Sequence, residues 1–327
     1  MTPPLPPALV LTAGLGRRLA PLTDLRAKPA VPVAGAPFIL RVLRWLSAQG
    51  VAGAVLNLHH RPDTITGCVG HGTAAGIAVR YSWERTLLGT AGGPRRALGL
   101  LGPRFFVVNG DTLTEVDLRA MARAHAASGA RVTLAVTANP DPDRYRGLDI
   151  DEQGRVLGFR APARPAHPHF TGVQLVEAPV FAGLRDGEPA ASIGGVYDAL
   201  VAERPGAVRA HASTARFRDI GTPGDYLATS LALARAEGRP SLPTGARCRI
   251  DAAVALTRTA VWDDVVVEAG CRLVDCVVAD GVRLPADSVL ERQVVTPAGA
   301  PPPGGGRRLG DAWLSPLDRA AGAAGSR

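Results

Sequence analysis

Lysine is almost absent from this chain. Of its 37 lysine and arginine residues, only Lys28 is a lysine. Aromatic residues are also scarce, at 5%, and the arginines are scattered along the sequence instead of grouped. Proteins that bind single-stranded nucleic acid combine a basic groove with aromatic side chains. We therefore predict no nucleic-acid partner. The arginine-rich composition is enough to account for the net charge of +8.

Cysteines are few, and long apolar runs are missing. Cys68, Cys248, Cys271 and Cys276 form no C-x-x-C pair, and no histidine cluster accompanies them. This pattern argues against a zinc site and favours reduced, packed thiols. No apolar run approaches the roughly 18 residues that a membrane span requires. We therefore expect a cytoplasmic protein without a membrane partner.

Two common nucleotide-binding motifs are missing as well. Residues 11–33 read LTAGLGRRLAPLTDLRAKPAVPV, so Gly14-x-Gly16 follows an apolar run. A dinucleotide-binding site needs a third glycine and an immediate helix, but Leu19 and Pro21 stand there. A Walker A loop needs Gly-Lys-Ser/Thr, which is absent. The remaining interpretation is a different phosphate loop, in which glycines let backbone N–H groups approach phosphate oxygens.

The chain does contain a regular alternation of strand-like and helix-like segments. Strands are predicted at 8–12, 51–57, 77–81, 104–108, 131–137, 155–159 and 170–176, and helices at 37–49, 116–127 and 226–236. This alternation predicts an α/β fold with a Rossmann-like, mixed and largely parallel sheet. We assign it to a first domain over residues 1–237, followed by a Pro- and Gly-rich linker at 238–246.

The C-terminal part has a different pattern. Small apolar residues recur about every six positions, at Val261, Val267, Leu273 and Ala279. Hexapeptide repeats predict a short left-handed parallel β-helix over 247–295, with two ordinary hairpins as the alternative. Because a short β-helix leaves an end uncovered, we expect a homo-oligomer formed through this region. Residues 296–327 are predicted to be a flexible tail with a docking point at Trp313.

Five motifs in order identify a family resemblance. The stretch GLGRRLAPLT at 14–23, followed by KPAVPV at 28–33, resembles the signature of the sugar-1-phosphate nucleotidyltransferases. The segments LGTAG at 88–92, VNGD at 108–111, FTGV at 170–173 and RDIGTP at 218–223 match further family motifs. The resemblance implies transfer of a nucleotidyl group from a nucleoside triphosphate to a sugar 1-phosphate. Its partners would be those two substrates.

The resemblance also implies roles for individual residues. Arg18 would grip the departing pyrophosphate, Lys28 would neutralise the reacting phosphates, and Asp111 and Asp219 would hold Mg²⁺. Both aspartates could instead be turn or cap residues. The nucleotide would contact Ala13, Gly14, Gly16, Gly89, Thr90, Gly92 and Asp111. The sugar would contact Gly147, Thr171 and Gly172, for which a hairpin turn and a core strand are the alternatives.

The chain departs from the family pattern at two places. Arg17 stands where relatives usually carry threonine, and it either adds to the phosphate clamp or points into solvent. The family's Glu-Lys-Pro is absent after Phe159, where Arg160 or Arg164 would have to substitute. The guanylyltransferase branch that acts on mannose 1-phosphate resembles the chain best. Uridylyltransferases of N-acetylmuramate 1-phosphate, thymidylyltransferases of glucose 1-phosphate and a non-catalytic NDP-sugar sensor are the alternatives.

Overall fold

The computed structural model describes residues 4–160, 167–299, 302 and 305–318. The chain divides into two compact units. We call residues 1–14 and 39–218 the sheet unit, and residues 15–38 and 219–327 the β-helix unit. The division predicted from sequence is linear along the chain. The observed units are not, because residues 15–38 cluster with the C-terminal part.

In the described part of the sheet unit, the main sheet has nine strands, and five helices of seven or more residues accompany it. The strands are β1 Ala8–Leu11, β2 Ala54–Leu58, β3 Val79–Trp83, β4 Arg104–Asn109, β5 Val132–Thr137, β6 Gly147–Ile150, β7 Val156–Arg160, β8 His169–Glu177 and β9 Val208–Ala212. The helices are α1 Phe38–Ala48, α2 Pro62–Val69, α3 Gly89–Ala97, α4 Leu118–Ser128 and α5 Tyr197–Glu203. All predicted elements of this unit are present, with ends shifted by at most three residues.

The strands form a mixed sheet in the order β7-β6-β8-β4-β1-β2-β3, and β8 also pairs with β5, which pairs with β9. Strands β3, β2, β1 and β4 are parallel, whereas β8 is antiparallel to both β4 and β5. Leu9 of β1 lies between Val55 and Val107 and is fully buried. Such continuous apolar strands are typical of a parallel sheet covered on both faces. The predicted fold class is confirmed.

The β-helix unit begins its C-terminal part with helix α6, Pro223–Ala236. Short parallel strands then form three faces. Their bounds are Arg249–Ile250, Val266–Val267 and Arg283–Leu284; Ala255–Thr257, Arg272–Val274 and Val289–Glu291; and Ala260–Val261, Val277–Val278 and Gln293–Pro297. The four predicted apolar residues Val261, Val267, Leu273 and Ala279 are buried. The parallel ladders agree with a β-helix and not with two hairpins.

The β-helix repeats every 17 residues. Arg249 pairs with Val266, which in turn pairs with Arg283, so the register advances from 249 to 266 to 283. Arginine and aspartate bridge successive coils at its corners, as in the ion pair of Arg247 with Asp264, and these two residues have a positive φ. A corner in the left-handed region lets the backbone turn sharply between two faces.

The structure differs from the predicted flexible tail. Strands Arg307–Leu309 and Ala312–Pro316 form a hairpin that pairs antiparallel with Gln293–Pro297. Ala312 and Leu314 are buried in the β-helix core, so apolar contacts order this segment. Trp313, the predicted docking point, donates a hydrogen bond from Nε1 to the carbonyl of Gly299 at 3.2 Å. Residues 319–327 lie outside the described residues.

Candidate active site

The carboxyl ends of the four parallel strands carry a set of polar residues. Thr12 follows β1, Asn57 lies near the end of β2, Glu84 follows β3, and Asp111 follows β4. Strand β1 lies between β2 and β4, so the chain leaves it toward β2 on one side and later returns to β4 on the other. In open α/β sheets, ligands bind at such a switch point, outside the carboxyl ends of the strands.

Three buried residues link these strand ends by hydrogen bonds. The backbone N–H of Thr12 donates to Asn57 Oδ1 at 2.7 Å, and Asn57 Nδ2 donates to Glu84 Oε1 at 2.7 Å. Glu84 Oε2 accepts the backbone N–H of Leu88 at 2.9 Å. Asn57 and Glu84 are 3% and 5% exposed. Both carboxylate oxygens of Glu84 therefore have partners within the protein. In the structure it is an internal anchor between β2 and the start of α3.

The predicted nucleotide loop 88–92 is in fact the beginning of α3. Gly92 is buried, and a Cβ there would lie 2.6 Å from the carbonyl oxygen of Glu188. Gly89 has φ +75°, and a Cβ there would lie 2.7 Å from the carbonyl oxygen of Ala190. Packing against residues 188–190 therefore accounts for both glycines without a ligand. Of these two glycines, only Gly89 is exposed at the helix start.

Thr90, also exposed, is tied to a residue that the motifs do not include. Its Oγ1 accepts hydrogen bonds from the backbone N–H of Ser192 at 2.9 Å and from Ser192 Oγ at 3.0 Å. The lone pairs of this hydroxyl are thus largely used within the protein. Ser192 stands far from any recognised motif in the sequence, and no sequence signal marked it.

Asp111 lies at a strand end that is held very close to β1. The backbone N–H of Gly110 donates to the Leu11 carbonyl at 3.0 Å, and a Cβ on Gly110 would come within 2.5 Å of that oxygen. Glycine is therefore required before Asp111 by the close approach of two backbones. The Asp111 carboxylate is half-buried. Ala13, on the other side of this contact, is buried at 3% exposure.

The three predicted sugar-side residues, Gly147, Thr171 and Gly172, are all buried. Thr171 is fully buried, and its Oγ1 donates to the Ala135 carbonyl at 3.0 Å. Gly172 has φ +82°, and a Cβ there would lie 2.8 Å from Asn109 Nδ2. Gly147 is also buried and pairs with His169 of β8. The core-strand alternative fits Thr171, while Gly172 brings the backbone of β8 against the end of β4.

Gly14 is an exposed residue of the sheet unit, and the remaining predicted site residues belong to the β-helix unit. Gly16 has φ +63°, and a Cβ there would lie 2.7 Å from Thr23 Cγ2 and 3.2 Å from Lys28 Cβ. Because Gly16 has no side chain, Thr23 and Lys28 can pack closely against it. Lys28 is 8% exposed, whereas Arg17 and Arg18 are exposed. The only lysine of the chain is thus held in a packed place, unlike most of its arginines.

The motif RDIGTP at 218–223 has a local structural explanation in part. Thr222 caps α6, its Oγ1 accepting the Asp225 N–H at 3.2 Å while the Asp225 carboxylate accepts the Thr222 N–H at 2.9 Å. Pro223 occupies the first helical position, where its missing N–H costs nothing. Asp219 is half-buried and takes no part in this capping box. Helix capping explains the threonine and proline but leaves the aspartate for another role.

Comparison with known proteins decides the family. Residues 7–236 match the profile of the Nucleotidyl transferase family, which covers more than half of the chain. The chain belongs to this family. It is a nucleotidyltransferase, and the expected resemblance to sugar-1-phosphate enzymes is confirmed.

Its relatives act on several sugars. This nucleotidyltransferase is 30% identical over 298 residues to a mannose-1-phosphate guanylyltransferase of Mycobacterium tuberculosis, an alignment covering 87% of this chain and 83% of the relative. It is 33% identical over 224 residues to an N-acetylmuramate alpha-1-phosphate uridylyltransferase of Neisseria meningitidis, covering 66% and 93%. HddC from Yersinia pseudotuberculosis complexed with GMP-PN shares the fold, with a TM-score of 0.61, 24% identity and coverage of 70% and 100%.

Among the described helices, none has both the length and the apolar character to cross a membrane. The described part of the chain also contains no cluster of three or more His, Cys, Asp or Glu residues around a common metal position. A metal held mainly by substrate needs no such cluster. All four cysteines are free thiols; Cys271 and Cys276 are buried in the β-helix core, as expected of packed thiols, whereas Cys68 and Cys248 are only half-buried.

Proposed function

We propose that this nucleotidyltransferase makes GDP-mannose from GTP and mannose 1-phosphate, with release of pyrophosphate. One observation carries the choice of branch. The alignment with the mannose enzyme spans 298 residues, more than the predicted catalytic domain of residues 1–237 contains, so it must extend into the β-helix region. The alignment with the muramate enzyme spans 224 residues and does not require that region.

In the proposed reaction, an oxygen of the sugar phosphate attacks the α-phosphorus of the triphosphate. A new P–O bond forms, the bond between the α-phosphorus and its bridging oxygen breaks, and the electron pair leaves with pyrophosphate. The nucleophile is already ionised, so no general base is needed. The barrier comes from bringing anions together, and the protein lowers it by positioning and charge neutralisation.

Each proposed role is assigned to a residue of suitable chemistry. The Lys28 ammonium neutralises the reacting phosphates, and the exposed Arg18 guanidinium binds the departing pyrophosphate. Backbone N–H groups near Gly14, Gly16 and Gly89 contact phosphate oxygens. Lysine suits a close approach to one phosphate because its charge is compact, whereas arginine carries a broad planar fork. The backbone near Gly172 and Gly147 contacts the sugar.

Asp111 and Asp219 would hold Mg²⁺. The donor set fits, because Mg²⁺ uses one or two protein carboxylates and completes its shell with phosphate oxygens and water. Both carboxylates are half-buried, and Asp111 lies at the strand ends where a ligand is expected. When bound, Mg²⁺ neutralises charge on the phosphate oxygens.

Of the two arginines proposed to replace the missing Glu-Lys-Pro, Arg160 ends β7 and Arg164 lies outside the described residues.

A substrate panel tests this proposal. Purified full-length protein with MgCl₂ is supplied with GTP, UTP or dTTP and with mannose, glucose or N-acetylmuramate 1-phosphate, and pyrophosphate release is measured. We expect the GTP and mannose pair to turn over fastest, and EDTA to abolish turnover until Mg²⁺ is restored. A faster UTP and muramate pair would move the enzyme to that branch. Tight NDP-sugar binding without turnover of any pair would indicate a sensor.

A further inference from the structure

Arg26 makes an extensive set of contacts in the β-helix unit. It lies in the signature loop, which we define as residues 15–33, and the family resemblance assigns it no role. Arg26 lies two positions before Lys28. Its Nε donates to Asp280 Oδ2 at 2.6 Å, and its Nη2 donates to Asp280 Oδ1 and to Asp263 Oδ2, both at 2.7 Å. Asp263 and Asp280 belong to successive coils of the β-helix. Two carboxylates of the β-helix thus bind the same arginine of the loop.

Two aromatic residues, Trp262 and Tyr226, contact the same loop at a second point. Trp262, 1% exposed, packs its ring 5.5 Å from the Arg26 guanidinium carbon. Its Nε1 donates to Tyr226 Oη at 2.8 Å, and Tyr226 Oη donates to the Pro32 carbonyl at 2.6 Å. Arg26 and Pro32 lie on either side of Lys28 in the sequence. The β-helix and α6 therefore fix the loop on both sides of its lysine.

The Arg26 contacts differ from the other arginine–aspartate pairs of the β-helix. The side chains of Arg247 and Asp264 are 67% and 50% exposed, whereas that of Arg26 is 19% exposed. Burial lowers the pKa of the Arg26 guanidinium, but the hydrogen bonds and charges of Asp280 and Asp263 outweigh this and raise it overall. A charged, two-point hydrogen bond of this kind is roughly twice as strong as a neutral one and fixes direction as well as distance.

The loop itself has little internal structure to define its shape. Residues 15–33 contain three single 3-10 turns, at Arg17–Leu19, Leu22–Asp24 and Lys28–Ala30, and one two-residue strand, Pro32–Val33. A segment with so few regular hydrogen bonds takes its conformation from what it packs against. In this unit, Trp262, Asp263 and Asp280 provide that surface.

We propose that Arg26 is a positioning residue for nucleotidyl transfer, through which the β-helix residues Trp262, Asp263 and Asp280 hold Lys28 in its working place. This inference rests on the proposed function, since it concerns the same loop. Arg26 touches no substrate in this scheme. The β-helix then contributes to the rate as well as to any assembly of the protein.

The test compares Arg26→Gln with Arg258→Gln in the full-length enzyme. Arg258 is a matched control, because it forms an ion pair with Asp275 across one coil of the same β-helix but is not part of the loop. We expect Arg26→Gln to lower kcat on the order of 10²-fold, as a misplacement of about 1 Å would, with a smaller change in KM for the nucleotide. Arg258→Gln should retain wild-type kcat.

Hydrogen exchange supplies a readout that needs no substrate. We expect Arg26→Gln to increase exchange in peptides covering residues 15–37, while peptides of β1 and β4 and the unfolding midpoint stay close to those of Arg258→Gln. If Arg26→Gln fails to fold, Tyr226→Phe keeps the phenyl ring and removes only the hydroxyl that donates to the Pro32 carbonyl, and the same loop-specific increase is expected.

Two results would overturn the inference. One is a wild-type kcat and unchanged loop exchange in a folded Arg26→Gln enzyme. The other is increased exchange over the whole β-helix with a lowered unfolding midpoint, which would make Arg26 a stability residue. If the wild-type protein turns over no substrate pair, the proposed function fails, while the loop-exchange result still decides whether Arg26 positions the loop.

Discussion

Asn57 Nδ2 donates a hydrogen bond to Glu84 Oε1 over 2.7 Å, and together these buried side chains connect the ends of β2 and β3 with the first turn of α3. Neither belongs to a motif that the sequence presents. A Cβ on Gly93 would lie 2.9 Å from both of their bonded atoms, so the glycine-rich start of α3 makes room for them. The Asn57–Glu84 pair therefore helps to hold the predicted nucleotide loop, residues 88–92, in place.

Replacing Glu84 by Gln should destabilise this support. The carboxylate accepts two hydrogen bonds, one on each oxygen, and an amide would turn an N–H₂ group toward one of the two donors. A buried donor left without an acceptor costs about 1–3 kcal/mol. We expect Glu84→Gln to lower the free energy of unfolding by that amount in denaturant titration. Glu115→Gln, at an exposed position, serves as control and should change it little.

Gly14 and Gly16 should respond differently to alanine. Within the described residues, no heavy atom lies within 4 Å of a Cβ on Gly14, and its φ is not positive, whereas Gly16 has φ +63° and a Cβ there would meet Thr23. Gly16→Ala should lower the unfolding free energy by about 1–2 kcal/mol, since an L-residue is strained in that region. Gly14→Ala should fold normally yet lose turnover, because its Cβ would stand where phosphate is proposed to approach. Full activity in Gly14→Ala would contradict the phosphate role.

Asp111→Asn should reduce turnover without harming the fold. A neutral amide is a poor ligand for Mg²⁺ beside phosphates, so we expect kcat to fall on the order of 10²-fold or more. The unfolding midpoint should remain at the wild-type value, since the side chain is half-buried at a strand end. Asp143→Asn, at an exposed loop position, is the control. An active Asp111→Asn enzyme would remove this carboxylate from the mechanism.

Lys28→Arg should be harmful although it keeps the charge. Lys28 is 8% exposed and packs beside Gly16, which leaves little room for a planar guanidinium. We expect kcat to fall on the order of 10²-fold, the effect of a misplacement of about 1 Å, in both Lys28→Arg and Lys28→Gln. Steady-state kinetics at saturating nucleotide measure this. If only Lys28→Gln loses activity, charge matters at this position and compactness does not.

His125 should make the protein less stable in mild acid. Burial lowers the pKa of this imidazole, helped by the charge of Arg104 and opposed by Glu177, whose Oε1 lies 3.2 Å from Nε2. In the unfolded chain, His125 becomes protonated near pH 6.5, whereas in the folded protein it stays neutral to a lower pH. The free energy of unfolding therefore falls as the pH drops below about 6.5. Denaturant titration at pH 7.5 and 5.5 should show a smaller loss in His125→Gln than in the wild type or in the exposed control His71→Gln. Equal losses in all three would exclude His125 as the cause.

The elements that the sequence predicted well are those whose apolar pattern is local. Strand β1 is a continuous apolar run, and α1 buries Ile39, Val42 and Leu43 on one face, as the spacing predicts. Helix α3 was missed because three glycines and Pro94 lower its helix propensity. Its stability comes from packing against residues 188–190, a contact about 100 positions away that no local pattern shows.

The candidate site divides in the same way. Motif order led to Lys28, Asp111 and Asp219, since glycine and charge patterns are visible in the chain. Asn57 and Ser192 could not be predicted, because their value depends on partners that the fold brings together. Burial also reduces the case for direct ligand contact at Thr171 and Gly92, which the motif alone could not reveal.

The 17-residue register of the β-helix restricts how such a chain can change its length. Corner arginines and aspartates meet only because equivalent positions recur at that interval, as with Arg247 and Asp264. An insertion of another size within a face would move the following corner charges out of register with their partners on the next coil. Natural or designed variants of this domain should therefore grow or shrink by whole coils, in steps of 17 residues, or not at all.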